Sequence, residues 1–121
     1  MSSQTRRDPE SWRAGDPGSF TCEVVPEREV VRVRPIGSLD MATGPVLESQ
    51  LQELREAGFR NVIVDLGGLT FMDSTGLRLA LRWQAEAERD GFDIAFAPGP
   101  PVVQRVFELT GMTEHVRFVG S

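Results

Sequence analysis

Lysine is absent from the 121 residues of the chain, and cysteine and histidine occur once each. All thirteen basic residues are therefore arginines, a bias to which we assign no function. Because a disulfide needs two cysteines and a Cys-rich metal site needs several, the lone Cys22 excludes both within this chain. Such low cysteine usage is typical of reducing compartments, so we expect a cytoplasmic protein.

Long apolar runs are also missing. No stretch approaches the roughly 20 apolar residues that a membrane-spanning helix requires, and Met1–Pro9 lacks the apolar segment of a secretory signal. Acidic residues outnumber basic ones by 18 to 13, which gives a net charge of −5. The missing apolar runs predict that the chain has no membrane span. Because nucleic-acid binding needs a basic face that neutralises phosphates, we also expect no direct nucleic-acid contact, and the acidity favours a protein partner.

The hydrophobic content of 40% and charged content of 26% are ordinary for a globular domain. A chain of this length buries about two thirds of its unfolded surface, enough for a real core. Residues 1–19 are polar, contain Trp12 as their only large apolar side chain, and are broken by prolines and glycines. We therefore expect a flexible N-terminal extension over residues 1–19 and one domain over residues 20–121.

Hydrophobic periodicity divides that domain into α and β segments. The predicted elements are strands at Phe20–Val25 and Val30–Ile36 with a hairpin at Pro26–Glu29, a helix from Thr43 to Gly58, a strand at Asn61–Leu66 covered on both faces or nearly so, a helix at Ser74–Arg89, a strand at Phe92–Phe96, a helix from Pro101 to Gly111, and a strand at Val116–Val119. A helix between two strands implies a right-handed crossover, so the second and third strands should be parallel. The sequence predicts an α/β fold, a mixed four- to five-stranded sheet with helices packed against it.

Helical spacing also predicts which side chains of each helix face the core. The predicted stripes are Val46, Leu47, Leu51 and Leu54 in the first helix, Leu77, Ala80, Leu81, Gln84 and Ala87 in the second, and Val102, Val103, Val106, Phe107 and Leu109 in the third.

Residues 62–82, VIVDLGGLTFMDSTGLRLALR, are the most specific segment, a buried strand followed by a glycine turn and a helix start. The turn delivers Asp73, Ser74 and Thr75 to that start, with no base beside Ser74 in sequence. From spacing alone, helix capping by one of these side chains is the favoured interpretation, because capping residues occur at most helix starts. Gly76 is costly in a helix and indicates a close approach by a neighbouring loop or a partner.

The order of parts in this segment resembles the STAS domain, and in particular the bacterial anti-sigma factor antagonists. Asp73–Leu77 matches the family's Asp-Ser-[Ser/Thr]-Gly-Leu run, Gly37–Asp40 matches the turn after its second strand, and Val106–Met112 matches a segment near its C-terminus. The resemblance covers roughly residues 20–119. In that family a partner anti-sigma factor, which is also a kinase, phosphorylates the serine after the aspartate, and this implies Ser74 as the phosphorylation site.

The resemblance further implies a regulatory protein that is not an enzyme and needs no cofactor. Unphosphorylated, it would bind the anti-sigma factor and so release a sigma factor; phosphorylation of Ser74 would switch this binding off, and a phosphatase would restore it. Asp40 serves equally well as a turn residue, and Met41 and Met72 as core residues. The implied partner-binding residues are Ser38, Leu39, Asp40, Met41, Met72, Asp73, Ser74, Thr75 and Gly76.

Other functions fit the residues less well. An esterase with Ser74 as nucleophile would need Gly-x-Ser-x-Gly, and Met72 stands where the first glycine should be; an aspartic protease would need Asp-[Ser/Thr]-Gly without the extra residue found here. Gly67–Gly68 lacks the Gly-Lys-[Ser/Thr] end of a P-loop. Asp65 is predicted to cap a turn rather than to bind a cation, and His115 to have a surface or packing role. A STAS accessory subunit of a lipid-transport ABC complex or of a stress-signalling assembly is the alternative within the family.

Overall fold

The computed structural model of the chain describes residues 20–119, and the predicted N-terminal extension lies outside them. In chain order the elements are β1 (Thr21–Glu27), β2 (Val30–Leu39), α1 (Gly44–Glu56), β3 (Asn61–Asp65), β4 (Leu69–Met72), α2 (Ser74–Asp90), β5 (Asp93–Ala97) and α3 (Pro101–Leu109). Single-turn 3-10 helices occupy Leu66–Gly68 and Thr113–His115.

The five strands form one mixed sheet in the order β1-β2-β3-β5, with β4 also paired to β2. β1 is antiparallel to β2, whereas β2 is parallel to β3 and β4, and β3 is parallel to β5. The hairpin turn is shorter than predicted, because Pro26 and Glu27 pair with β2 and leave only Arg28 and Glu29 in the turn. The predicted α/β fold with its mixed sheet is confirmed.

β3 and β4 both pair with β2 and lie end to end along it, separated by the 3-10 turn at residues 66–68. Residues 31–33 of β2 pair with β3, and residues 37–39 pair with β4. The Asp65 carboxylate caps the turn as predicted, accepting a hydrogen bond of 2.9 Å from the backbone N–H two residues later. Gly68 passes so close to β2 that a Cβ atom would lie 2.8 Å from the Pro35 carbonyl oxygen. Because β4 ends at Met72, beside the end of β2 at Leu39, the following helix α2 begins at that end of the sheet.

The three helices pack against one face of the sheet, and the side chains on that face form the core together with them. In β3, Val62 and Val64 are buried while Asn61, Ile63 and Asp65 are only half-buried. β3 is therefore fully covered on the helix side and partly covered on the other face, so only the prediction of full cover on both faces is wrong. The fully buried side chains include Val31, Val33, Pro35, Leu39, Val64, Ile94, Val103 and Phe107.

The buried helix faces differ from the predicted stripes. In α2, Leu79 and Trp83 are buried, whereas the predicted Leu81 and Gln84 are only half-buried. The buried face of α2 differs from the predicted stripe because α2 packs against α1, α3 and the sheet at once, so its buried side chains do not form a single stripe. The exposed apolar side chains that were predicted to be buried are Val46 at 47%, Val102 at 47% and Leu109 at 79%.

The predicted strand at Val116–Val119 is reduced to one isolated parallel bridge between Phe96 and Phe118. The Phe118 ring packs edge-on against Phe107 with a centroid separation of 5.2 Å. The last described segment is therefore held by aromatic packing and a few backbone hydrogen bonds to β5, not by a strand of its own.

Cys22 in β1 packs against the core, and this burial raises the pKa of its thiol from 9.0 to about 11. The folded state therefore favours the protonated thiol, and the free energy of unfolding should fall as pH rises from 9 towards 11, because the unfolded chain releases this proton first. We expect the rate of alkylation by iodoacetamide to be still rising at pH 11, because only the thiolate reacts and about half of the folded chain still holds the proton there. The rate for the urea-unfolded chain should instead be half-maximal near pH 9 and level off above about pH 10, and the same plateau in the folded chain would contradict burial of the thiol.

Candidate functional site

Asp73 links the end of β4 to the start of α2. It is the N-cap residue of the helix, and its Oδ1 accepts a hydrogen bond of 2.8 Å from the backbone N–H of Thr75. Its own backbone N–H donates to the carbonyl oxygen of Leu39 over 3.1 Å, which ties the helix start to the end of β2. An aspartate at the N-cap satisfies an otherwise unpaired N–H and stabilises the helix by about 1 kcal/mol. Asp73 is thus hydrogen-bonded both to the first turn of α2 and to the end of β2, and these two bonds fix the position of the β4–α2 junction.

Ser74 is the first residue of α2 and is exposed. Its hydroxyl takes part in no hydrogen bond with residues 20–119, because the capping role falls to Asp73. Of the three capping candidates in the sequence, only Asp73 therefore caps the helix. The hydroxyl of Ser74 is left in solvent at a helix start that does not depend on it.

Gly76 is buried in the first turn of α2 because other side chains occupy the space where its side chain would be. A Cβ atom at Gly76 would lie 2.4 Å from Cγ of Met72 and 2.9 Å from Cδ2 of Leu39. The predicted close approach is confirmed, but the approaching groups are core side chains of β2 and β4 and not the neighbouring loop or partner that the sequence suggested. The absence of a side chain at Gly76 allows α2 to lie directly on the ends of β2 and β4.

The loop after β2 is held by its own polar side chains. The Asp40 carboxylate accepts hydrogen bonds from the backbone N–H groups of Ala42 at 3.0 Å and of Thr43 at 3.2 Å, which confirms its turn role. Thr43 is buried, and its hydroxyl donates to the Ser38 carbonyl oxygen over 2.7 Å while accepting from the Asp40 N–H over 3.0 Å. Thr43 occupies the predicted N-cap position of α1, but its hydroxyl bonds within the loop and not to the helix.

This loop lies beside the start of α2. A Cβ atom at Gly44 would lie 3.0 Å from Cγ2 of Thr75 and 3.5 Å from Cδ1 of Leu79. Farther along the two helices, Arg82 of α2 forms an ion pair with Glu48 of α1. Residues 38–44 and the Ser74 junction are thus one continuous, tightly packed end of the domain.

The structure separates the nine predicted partner-binding residues into two groups. Leu39 and Met72 are 1% and 2% exposed and Gly76 is buried, so these three belong to the core and cannot contact a partner in this conformation. Met41, in contrast, is 77% exposed. The surface group consists of Ser38, Asp40, Met41, Asp73, Ser74 and Thr75, which we call the Ser74 surface.

Two residues near this surface were missed by sequence reasoning. Phe71 is 46% exposed in β4, where it pairs with Ser38 in the parallel ladder. Arg78 is exposed one helical turn after Ser74. The sequence contains no clear signal for Phe71, because β4 has only four residues. For Arg78 the signal is its four-residue spacing from Ser74 within the predicted helix.

The remaining candidates have structural or surface positions. Asp65 forms ion pairs with Arg32 at 3.2 Å and Arg34 at 3.7 Å on the helix-free face of the sheet. His115 is exposed in the 3-10 turn after α3. Within residues 20–119, no group of three or more His, Cys, Asp or Glu side chains could hold a metal ion, and no helix is long and apolar enough to cross a membrane.

Comparison with known proteins agrees with this geometry. The family described as "Mlab, STAS domain" matches residues 22–120. The anti-sigma-B factor antagonist of Staphylococcus aureus (strain NCTC 8325 / PS 47) is 29% identical over 96 residues, which cover 79% of this chain and 89% of that protein.

Two solved structures share the fold. The anti-sigma factor antagonist SpoIIAA in its unphosphorylated form has a TM-score of 0.67 and 25% identity, covering 84% of this chain and 87% of its own. An anti-sigma factor antagonist from Mycobacterium paratuberculosis has a TM-score of 0.70 and 25% identity, with 86% of each chain covered. Because the family match spans most of the chain, this protein belongs to the STAS domain family.

Proposed function

We propose that this protein is an anti-sigma factor antagonist whose binding to an anti-sigma factor is switched off by phosphorylation of Ser74. In the unphosphorylated state, the Ser74 surface docks on the anti-sigma factor, and this releases a sigma factor for transcription. The observation that carries the proposal is the exposed Ser74 hydroxyl, which stands at the start of α2 while Asp73 caps that helix. The relatives named above are anti-sigma factor antagonists, which supports the same function.

Electrostatics explains how a phosphate would act as a switch. A phosphoserine carries about −1.5 to −2 charges at neutral pH. Asp73 precedes Ser74 directly, and Asp40 lies in the adjacent loop, so phosphorylation would concentrate negative charge on a surface that already has two carboxylates. A partner that fits the bare hydroxyl would meet both added bulk and like charge, which costs several kcal/mol when desolvated.

The same geometry predicts that the fold survives phosphorylation. The Ser74 hydroxyl makes no hydrogen bond within the described part of the chain, and the helix N-terminus favours negative charge. The junction is held instead by the cap of Asp73, its bond to Leu39 and the packing at Gly76. The switch therefore changes a surface and leaves the scaffold in place.

In this proposal the protein performs no catalysis and binds no cofactor. The anti-sigma factor acts as the serine kinase and supplies ATP and magnesium, Ser74 supplies the acceptor hydroxyl, and a separate phosphatase reverses the modification. The proposed setting is the cytoplasm, without direct contact to nucleic acid.

Phosphotransfer to Ser74 is the first expected result. The full chain serves as bait in its own organism, and the kinase recovered with it is incubated with the chain, ATP and magnesium. Intact-mass measurement should show the addition of one phosphate to the native chain, and peptide mapping should place it on Ser74. Ser74→Ala should remain unmodified because no other hydroxyl is presented at this junction in the same way.

Ser49→Ala is the matched control, since Ser49 is also an exposed helical serine but lies on α1. It should be phosphorylated like the native chain. A phosphate that persists in Ser74→Ala would refute the site, and recovery of a transporter ATPase without an anti-sigma factor would support the lipid-transport alternative.

A further inference from the structure

Arg78 differs from the other arginines of α2 in its electrostatic environment. Arg82 pairs with Glu48 of α1, and Arg89 pairs with Asp90 at 3.2 Å. Arg78 forms no ion pair with the residues that the structure describes, although the protein has an excess of acidic side chains. Its guanidinium group is therefore free to bind an anion that arrives from outside.

The helix places Arg78 next to Ser74. Residues four apart on an α-helix lie on the same face, with Cβ atoms about 5–6 Å apart. Both residues are exposed, and the helix is continuous from Ser74 to Asp90. A long arginine side chain at this spacing reaches a group attached to the Ser74 hydroxyl without any change in the backbone.

We propose that Arg78 is the counter-ion of phosphorylated Ser74 and holds the phosphate on the outer face of α2, away from the Asp73 carboxylate. This inference rests on the proposed function, because it requires phosphate on Ser74. The planar guanidinium group matches a phosphate in a bidentate geometry, and both hydrogen bonds are charge-assisted. Arg78 is thus a positioning residue that defines the orientation of the phosphate.

The other charged groups near Ser74 either repel a phosphate or are already paired. Asp73 on the same helix and Asp40 in the adjacent loop repel the phosphate. Glu48 of α1 is engaged by Arg82, and β4 has no charged residue. Arg78 is therefore the nearest cation along the helix that is not already paired, and it should favour the dianionic form of the phosphate.

The test is a phosphorus-31 NMR titration of the full chain with phosphoserine installed at position 74 during synthesis, which does not require the kinase. A neighbouring cation lowers the second pKa of a phosphate, normally about 6. Arg78→Gln should raise this pKa by about 0.3 unit, a roughly twofold change in proton affinity expected from an exposed i,i+4 pair. The glutamine keeps the helix propensity of arginine, so the helix should persist.

Two matched variants complete the experiment. Arg78→Lys should restore most of the lowered pKa, because it keeps the charge. Arg89→Gln removes an equal charge from α2 at a position about 22 Å from Ser74 along the helix axis, beyond the screening length, and should leave the pKa of the phosphate unchanged. Titration curves of Arg78→Gln and the native phosphoprotein that superimpose would overturn the proposal for Arg78. A kinase that fails to modify Ser74 would contradict the proposed function, and this titration would be unaffected.

Discussion

Replacing Ser74 with aspartate should weaken binding of the anti-sigma factor by at least about a hundredfold. A carboxylate at this position places a third negative charge beside Asp73 and Asp40 on the Ser74 surface. Bringing like charges together at a desolvated interface costs several kcal/mol, and each 1.4 kcal/mol is a factor of ten in affinity. Isothermal titration calorimetry of the native and Ser74→Asp chains against the same anti-sigma factor would measure the difference.

The loss should come without unfolding. An aspartate in the first turn of a helix interacts favourably with the helix dipole, and the Ser74 side chain is exposed with no hydrogen bond to the described residues. The circular dichroism spectrum and the melting temperature of Ser74→Asp should therefore stay close to native. Ser74→Ala, which adds no charge, should keep most of the affinity.

Ser49→Asp separates the local effect from the change in net charge. It adds the same charge at an exposed position of α1, outside the Ser74 surface. The affinity of this control should change only slightly. An equal loss in both variants would assign the effect to net charge, and native affinity in Ser74→Asp would contradict docking through Ser74.

The sequence predicted well those features that depend on local backbone chemistry. Gly58 and Gly91 end helices α1 and α2 with φ values of 96° and 76°, as their positions after helical runs suggested. The hairpin between the first two strands and the crossover rule predicted the antiparallel and parallel neighbours of β2. Asp73, Ser74 and Thr75 were correctly placed at a helix start because capping residues follow a glycine turn there.

Features that depend on which elements meet in space were less predictable. β4 was missed because four residues after two glycines show no periodicity, and only pairing with β2 makes them a strand. Leu81 and Leu79 both fit an apolar stripe, and packing of α2 against α1 buries Leu79 more deeply. The burial of Leu39 and Met72 likewise follows from the contact between strand ends and α2, which sequence proximity to Ser74 could not indicate. For Met72, the core was one of the two positions that the sequence left open.

Gly76→Ala should lower the free energy of unfolding by about 2 kcal/mol, since overpacking a core costs roughly 1–3 kcal/mol and alanine returns up to about 1 kcal/mol of helix propensity. We place the overpacking at the upper end because the new methyl group would lie 2.4 Å from Cγ of Met72, 2.7 Å from its Sδ and 2.9 Å from Cδ2 of Leu39. For a domain of this size the melting temperature should fall by roughly 10 °C. Urea unfolding followed by circular dichroism gives the free energy directly.

Gly44→Ala is a matched control because Gly44 is also a buried glycine in the first turn of a helix. Its new methyl group would lie 3.0 Å from a Thr75 methyl carbon and 3.5 Å from Leu79, contacts that small shifts relieve. Together with the gain in helix propensity, this should leave the stability within about 1 kcal/mol of native. Equal losses in the two variants would show that the packing at Gly76 has no special importance.

The packing at Gly76 also connects stability to docking. Met72 and Leu39 position Asp73, because Met72 precedes it in the chain and the Asp73 N–H donates to the Leu39 carbonyl oxygen. A methyl group that displaces these side chains should move the start of α2, and with it the Ser74 hydroxyl. At a temperature where Gly76→Ala is fully folded, its affinity for the anti-sigma factor should therefore be lower than that of Gly44→Ala. Native affinity in a folded Gly76→Ala chain would mean that docking does not depend on the position of this helix start.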